Sequence, residues 1–199
     1  MKTHLLLHAI AVKKQADRES LIAYLGTPAT ELDQALEEAV RTGRVVKVDK
    51  GYVLSPLARV SLGADYSREY AALRNDAALL EAYETFERIN AQLKSLITQW
   101  QTIDARGSRI VNDHSDPDYD DKVIAKIGDL HERAQRVLLR FEKAVPRFTY
   151  YRENLGVALN KAEDGQIEWV SDVKLPSYHT LWFELHEDIL RLLGRKRSE

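Results

Sequence analysis

Apolar residues recur three or four positions apart along most of the chain, which is the spacing of one helix face. The run Leu5-Leu6-Leu7-His8-Ala9-Ile10-Ala11-Val12 predicts a short helix over residues 4–14. Asp17 then reads as the N-cap of a second helix, with Leu21, Ile22, Tyr24 and Leu25 on its apolar side and Gly26 as its stop. Thr27-Pro28 makes a turn. Thr30 caps a third helix, with Asp33 three residues on in a short capping box. Its apolar side is Leu32, Ala35, Leu36, Ala39 and Val40, and Gly43 ends it. Arg44-Val45-Val46-Lys47-Val48 is β-rich, Asp49-Lys50-Gly51 is a turn, and Tyr52-Val53-Leu54 is the returning strand. From Tyr66 the apolar series runs through Tyr70, Leu73, Ala77, Leu80, Tyr83, Phe86, Ile89, Leu93, Leu96 and Trp100 to Ile103, with no proline or glycine between. That predicts one helix of about 38 residues, roughly 57 Å long. Its seam needs cover from other helices or from a second copy of the chain, so a homodimer through this helix is one expectation.

Arg106-Gly107-Ser108 breaks the long helix, and Asp116-Pro117 starts the next. Tyr119, Val123, Ile127, Leu130, Ala134, Val137, Phe141 and Val145 form its seam, and Pro146 ends it. Another helix holds Phe148, Tyr151, Leu155, Leu159 and Ala162 and stops at Asp164-Gly165. Gln166 to Lys174 reads as an irregular or extended connector. Ser177 caps the last helix and Gly194 lies past its end. Three short helices and a hairpin follow the order of a winged helix-turn-helix, and Gly63 reads as its boundary. The expected fold is therefore mostly α. A winged-helix domain over residues 1–63 is joined by the long helix to a four-helix bundle over residues 64–199.

Composition narrows the chemistry. The chain has 199 residues, 44% of them hydrophobic, which is enough apolar material for a core and excludes global disorder. It has no cysteine, which removes disulfides, thiolate nucleophiles, Cys-type zinc sites and iron–sulfur clusters, and fits a cytoplasmic location. The apolar start is too short to span a membrane and is followed by Lys13, Lys14 and Gln15 rather than a cleavage site, so no membrane association is expected.

Net charge is −2, which excludes a globally basic nucleic-acid coat. Residues 1–63 carry 9 basic and 7 acidic residues, and the remainder 20 and 24. The slightly basic first part is deceptive, because its third helix carries Glu31, Asp33, Glu37 and Glu38 against a single Arg41. Helical spacing puts Glu31, Gln34 and Glu38 on one exposed face, where they would repel phosphates. The hairpin region does offer Arg44, Lys47, Lys50 and Arg59, a positive strip suited to phosphate or DNA contact and equally to a solvated face.

The last helix has the densest chemistry, with His179 and His186 two turns apart. That is about 10 Å, too far to share one metal ion, so neither a metal site nor a cofactor is expected. His114-Ser115-Asp116 has three residue types of a hydrolytic triad, but neighbours in sequence do not make its geometry. Neither a Walker A loop nor Gly-x-Gly-x-x-Gly occurs, so no catalytic residue is expected on this chain. Arg191, Arg195, Lys196 and Arg197 complement a helix C-terminus or make an anion patch.

Two resemblances add to this reading. Gly43-Arg44-Val45-Val46 through Gly51-Tyr52-Val53-Leu54-Ser55-Pro56-Leu57-Ala58-Arg59-Val60-Ser61-Leu62 resembles the wing of MarR- and PadR-type winged-helix proteins. The resemblance covers about the first third of the chain and bears on fold more than on function, since winged helices also dock proteins. Asp116-Pro117-Asp118-Tyr119-Asp120 and Ser177-Tyr178-His179-Thr180-Leu181-Trp182-Phe183-Glu184-Leu185-His186-Glu187-Asp188-Ile189-Leu190 resemble a family of small actinobacterial proteins. Its members stand alongside proteins similar to phosphoenolpyruvate synthase and pyruvate phosphate dikinase, of the type that phosphorylates phenolic compounds. The resemblance implies a non-catalytic accessory subunit or regulator of such a dikinase. Tyr178, His179, Trp182 and His186 are then the expected partner- or ligand-contact residues. The alternative is a dimeric DNA-binding transcriptional regulator whose bundle senses a ligand.

Overall fold

The computed structural model describes residues 3–105 and 107–197, and these are mostly helical. The chain divides into two compact units. One comprises residues up to Asn75 together with those from His186 onward, and the other is Asp76–Leu185.

The first unit contains α1 (Thr3–Lys13), α2 (Arg18–Leu25), α3 (Ala29–Arg41), β1 (Val45–Val48), β2 (Gly51–Leu54), α4 (Pro56–Glu69), a 3-10 turn at Leu73–Asn75, and the second half of α9 (Tyr178–Leu193). Asp17 caps α2 by accepting from the Ser20 amide at 2.7 Å, and Gly26 closes it with φ +59°. α3 begins two residues earlier than its threonine suggests. Pro28 is the N-cap and Thr30 lies inside the first turn, so the capping role expected of Thr30 is not used. The strands pair in antiparallel register from Val45↔Leu54 to Val48↔Gly51. Ala16 bridges to Tyr52 on the other side of β2, with N–H···O distances of 3.1 and 2.8 Å. Gly51 has φ +129°, and a Cβ there would fall 2.3 Å from the Ala16 carbonyl oxygen, so only glycine admits this bridge. Leu6, Ile10, Leu21, Leu32 and Leu62 are fully buried and make the core.

Gly63 lies within α4. The continuous helix expected from Tyr66 to Ile103 is two helices. α4 ends at the Tyr70 cap, Asn75 donates its side-chain amide to the Ala71 carbonyl at 3.0 Å, and Asp76 accepts from the Leu79 amide at 2.9 Å. A capping carboxylate thus starts α5 as a separate helix.

The second unit contains α5 (Ala77–Gln101), β3 (Thr102–Ala105), β4 (Ser108–Val111), α6 (Pro117–Ala144), α7 (Phe148–Glu163), the short α8 (Glu168–Ser171) and the first half of α9. β3 and β4 form an antiparallel hairpin, Thr102↔Val111 to Ala105↔Ser108, where only a helix break was expected. Gly107, with φ +83°, lies in its turn. Asp116 caps α6 through the Tyr119 amide at 3.1 Å, with Pro117 in the first turn. α6 packs between α5 and α7. The α5 seam, now Leu79, Ala82, Phe86, Ile89, Leu93, Ile97 and Trp100, is buried within the chain. Among the described residues, no helix is long and apolar enough to cross a membrane.

Candidate functional site

The last helix was expected to present four contact residues, and the structure places them as follows. Ser177 caps α9, its hydroxyl accepting from the Thr180 amide at 3.3 Å. That start turns Tyr178 and Trp182, one turn apart, into the core of the second unit. Tyr178 is buried, stacks on Trp182 with ring centroids 6.1 Å apart, and sits 3.3 Å from His131 Nδ1 through its hydroxyl. Trp182 is buried against Phe86 at 5.0 Å between centroids, and its Nε1–H donates to Asn90 Oδ1 at 3.1 Å. His179 is half-buried beside them. His186 is buried too, but belongs to the first unit. The four residues therefore do not form one surface patch.

His131 completes the Tyr178 cluster. The Gln135 side-chain amide donates to His131 Nε2 at 2.8 Å, which leaves the proton on Nδ1 and lets it donate to the Tyr178 oxygen. Burial pushes His131 below the ordinary imidazole value against an opposing pull from Glu132, and burial does the same to His179. The folded state thus disfavours protonation of both rings, while the unfolded chain protonates near the ordinary imidazole value of about 6.5. Below that pH the unfolded state binds more protons, so stability is complete above about 6.5 and is lost as pH falls. We expect the melting temperature to drop between pH 7 and 5, and to drop less in H131Q and H179Q. A profile unchanged in both variants would contradict this assignment.

A second polar cluster, missed in the sequence, fills the first unit. His8 and Asp188 are both 0% exposed. His8 Nε2 lies 3.2 Å from Asp188 Oδ2, and the Tyr24 hydroxyl donates to the same oxygen at 3.0 Å. His8 Nδ1 is 2.7 Å from the Tyr66 hydroxyl. α1, α2, α4 and α9 each contribute one member. The available clue was a histidine inside an apolar run, since a buried polar group requires a partner.

At the base of the β3–β4 hairpin, His114 has φ +59° and its Nδ1 lies 2.8 Å from Asp120 Oδ2. Asn112 donates to Asp120 Oδ1 at 2.9 Å. The carboxylate that orients His114 is thus Asp120, while Asp116 is spent on capping α6. Ser115 engages Asp113, whose carboxyl is held below the usual range by the serine hydroxyl and amide. The Ser–His–Asp relay imagined from adjacent residues is not assembled. Among the described residues, no group of three or more His, Cys, Asp or Glu could hold a metal ion.

On the outer surface of the first unit, Arg44, Lys47, Lys50 and Arg59 are exposed. Arg59 also lines a 290 Å³ cavity with Lys14 and Arg191 over Ile10 and Leu54. α3 turns Asp33, Gln34, Glu37 and Glu38 outward, while Glu31 is half-buried and accepts from the Thr27 hydroxyl at 3.2 Å. Asp33 holds Arg18 in a two-pronged pair at 2.6 and 2.7 Å, and Glu38 holds Arg41 at 2.7 and 2.9 Å. Beyond the hairpin, Leu57 and Val60, one turn apart on α4, are 78% and 74% exposed. No protein-family model, curated protein sequence or solved structure matches this chain.

Proposed function

We propose that this chain is a non-catalytic accessory subunit or regulator that works by binding a protein partner in the cytoplasm. Its first unit is then a winged helix used for docking rather than for reading DNA, and the helices of its second unit form a four-helix bundle. The observation that carries this reading is the outward face of α3, which presents Asp33, Glu37 and Glu38. Its two arginine partners are already engaged by Asp33 and Glu38, so the face offers phosphates little attraction. The exposed pair Leu57 and Val60 on α4 adds apolar contact area of the kind a protein partner covers. The resemblance of the last helix implies that the partner is a multi-subunit dikinase acting on phenolic compounds.

The test is reconstitution with a phosphoenolpyruvate-synthase-like enzyme encoded beside this chain. Co-purification and a fall of at least about tenfold in phosphotransfer without this chain are the expected results. Full activity in its absence would rule the reading out.

A DNA-binding regulator remains the second reading, favoured by Arg44, Lys47, Lys50 and Arg59, which are exposed and make no ion pair among the described residues. It requires a mobility shift with upstream DNA at low salt, abolished by K47E, K50E or R59E. Absence of any shift at low salt excludes it.

A further inference from the structure

The groove between α5 and α6 collects arginines. α6 places Arg133, Arg136 and Arg140 at i, i+3 and i+7, on one helix face with a rise of about 10.5 Å from first to last. α5 brings Arg88 to the same 390 Å³ groove. All four arginines are exposed. Buried Ala82, Ile89 and Val137 provide apolar surface among them.

These arginines are under-neutralised. Arg140 meets Glu81 at 3.4 Å. Arg88 donates to the Thr85 hydroxyl at 2.9 Å, and Arg133 to the Asp129 carbonyl of its own helix at 3.3 Å. Arg136 makes no hydrogen bond or ion pair among the described residues. Several arginines elsewhere are paired with carboxylates, as in Arg18–Asp33, Arg41–Glu38, Arg152–Glu142 and Arg191–Glu187, while Arg44 and Arg59 make no such pair among the described residues. The unit does not lack carboxylates either, for residues 76–185 hold 19 acidic against 14 basic residues. The groove lining sets four arginines against one carboxylate, Glu81, while Glu84, Asp129 and Glu132 stand one turn from Arg88, Arg133 and Arg136 outside that lining. Like charges at i,i+3 and i,i+4 on α6 repel one another, an arrangement that an anion bound across them would relieve.

We propose that this groove binds a small organic di- or triphosphate. Four guanidinium groups and one carboxylate leave three net positive charges. A single carboxylate would neutralise one of them, whereas a di- or triphosphate matches them all. The planar guanidinium fork meets two phosphate oxygens at once. A groove of 390 Å³ is the size of a small-molecule site, and Ala82, Ile89 and Val137 would carry the ligand's non-polar part. This inference is independent of the partner proposed above.

Calorimetric titration of the full chain with inorganic tripolyphosphate tests it, with sulfate and sodium chloride at matched ionic strength as comparison. Saturable 1:1 binding is expected, at least about tenfold tighter than sulfate. R133Q/R136Q should weaken it at least about tenfold, while R109Q, a neutralised arginine on the exposed β4 strand, should leave it unchanged. The ligand-free melting temperature of R133Q/R136Q should be unchanged or slightly higher, because repulsion is removed. Binding no tighter than sulfate, or unaffected by R133Q/R136Q, would overturn the proposal. So would sedimentation with phosphoinositide vesicles in the absence of tripolyphosphate binding, which would assign the arginines to a lipid headgroup.

Discussion

Replacing Asp188 by alanine should destabilise the first unit by about 1–3 kcal/mol, the cost of taking a buried acceptor away from a hydrogen-bond donor. Asp188 and His8 are both 0% exposed, so no water takes over the lost contacts. The carboxylate oxygen Oδ2 accepts from the Tyr24 hydroxyl at 3.0 Å and faces His8 Nε2 at 3.2 Å. An acceptor facing Nε2 places the proton there and leaves Nδ1 to accept from the Tyr66 hydroxyl at 2.7 Å. Alanine removes the acceptor of the Tyr24 hydroxyl, whose oxygen lies 3.1 Å from His8 Nε2 and can still accept from it, and a buried donor that loses its acceptor costs about 1–3 kcal/mol. D188N keeps the shape and one acceptor, so its loss should be smaller. The double variant H8L/D188L removes both polar ends and should be less destabilised than the sum of the single changes. The measurement is amide hydrogen exchange in α1, with urea denaturation followed by far-UV circular dichroism. A D188A protein within about 1 kcal/mol of the parent would show that the network holds little of this unit together.

How much of this was legible from the sequence depended on how local the cause was. The Asp17 cap, the Gly26 stop, the Asp116-Pro117 start and the hairpin turn at Gly51 are decided within three or four residues, and all stand where they were expected. The break between α4 and α5 was not seen, because Leu73 and Ala77 keep helical spacing across it. Leu73 is only half-buried and Ala77 is exposed, so that spacing carried no burial. The capping chemistry of Asp76 outweighed it. The β3–β4 hairpin was hidden for a related reason. Its β-branched residues Ile110 and Val111 are 46% and 79% exposed, so no buried alternation marked the strand. The sites were less legible than the elements. His8 and Asp188 come from opposite ends of the chain, and only tertiary packing makes them partners. The arginine stripe on α6 can be read from spacing, but its meeting with Arg88 needs α5 laid against α6.

Trp182 gives the second large effect, and it separates folding from partner contact. W182A should cost about 3–5 kcal/mol, as expected for deleting a buried indole. The ring is 3% exposed, stacked between Phe86 at 5.0 Å and Tyr178 at 6.1 Å, and no solvent can refill its place cheaply. W182F keeps most of the packing but removes the Nε1–H that satisfies Asn90 Oδ1 at 3.1 Å, leaving a buried acceptor without that donor and costing about 1–3 kcal/mol. A cycle with N90A should return a coupling near the lower end of that range. The same variants bear on the expected contact role of Tyr178, His179, Trp182 and His186. If Trp182 acts only through the core, W182F should still capture the partner at temperatures well below its melting point, and any loss in W182A should follow its unfolding. His179 is the half-buried member of the set, so H179A is the variant in which lost capture with retained stability would mark a direct contact. Loss of capture in folded W182F would instead mean that the indole reaches the partner, against its burial here.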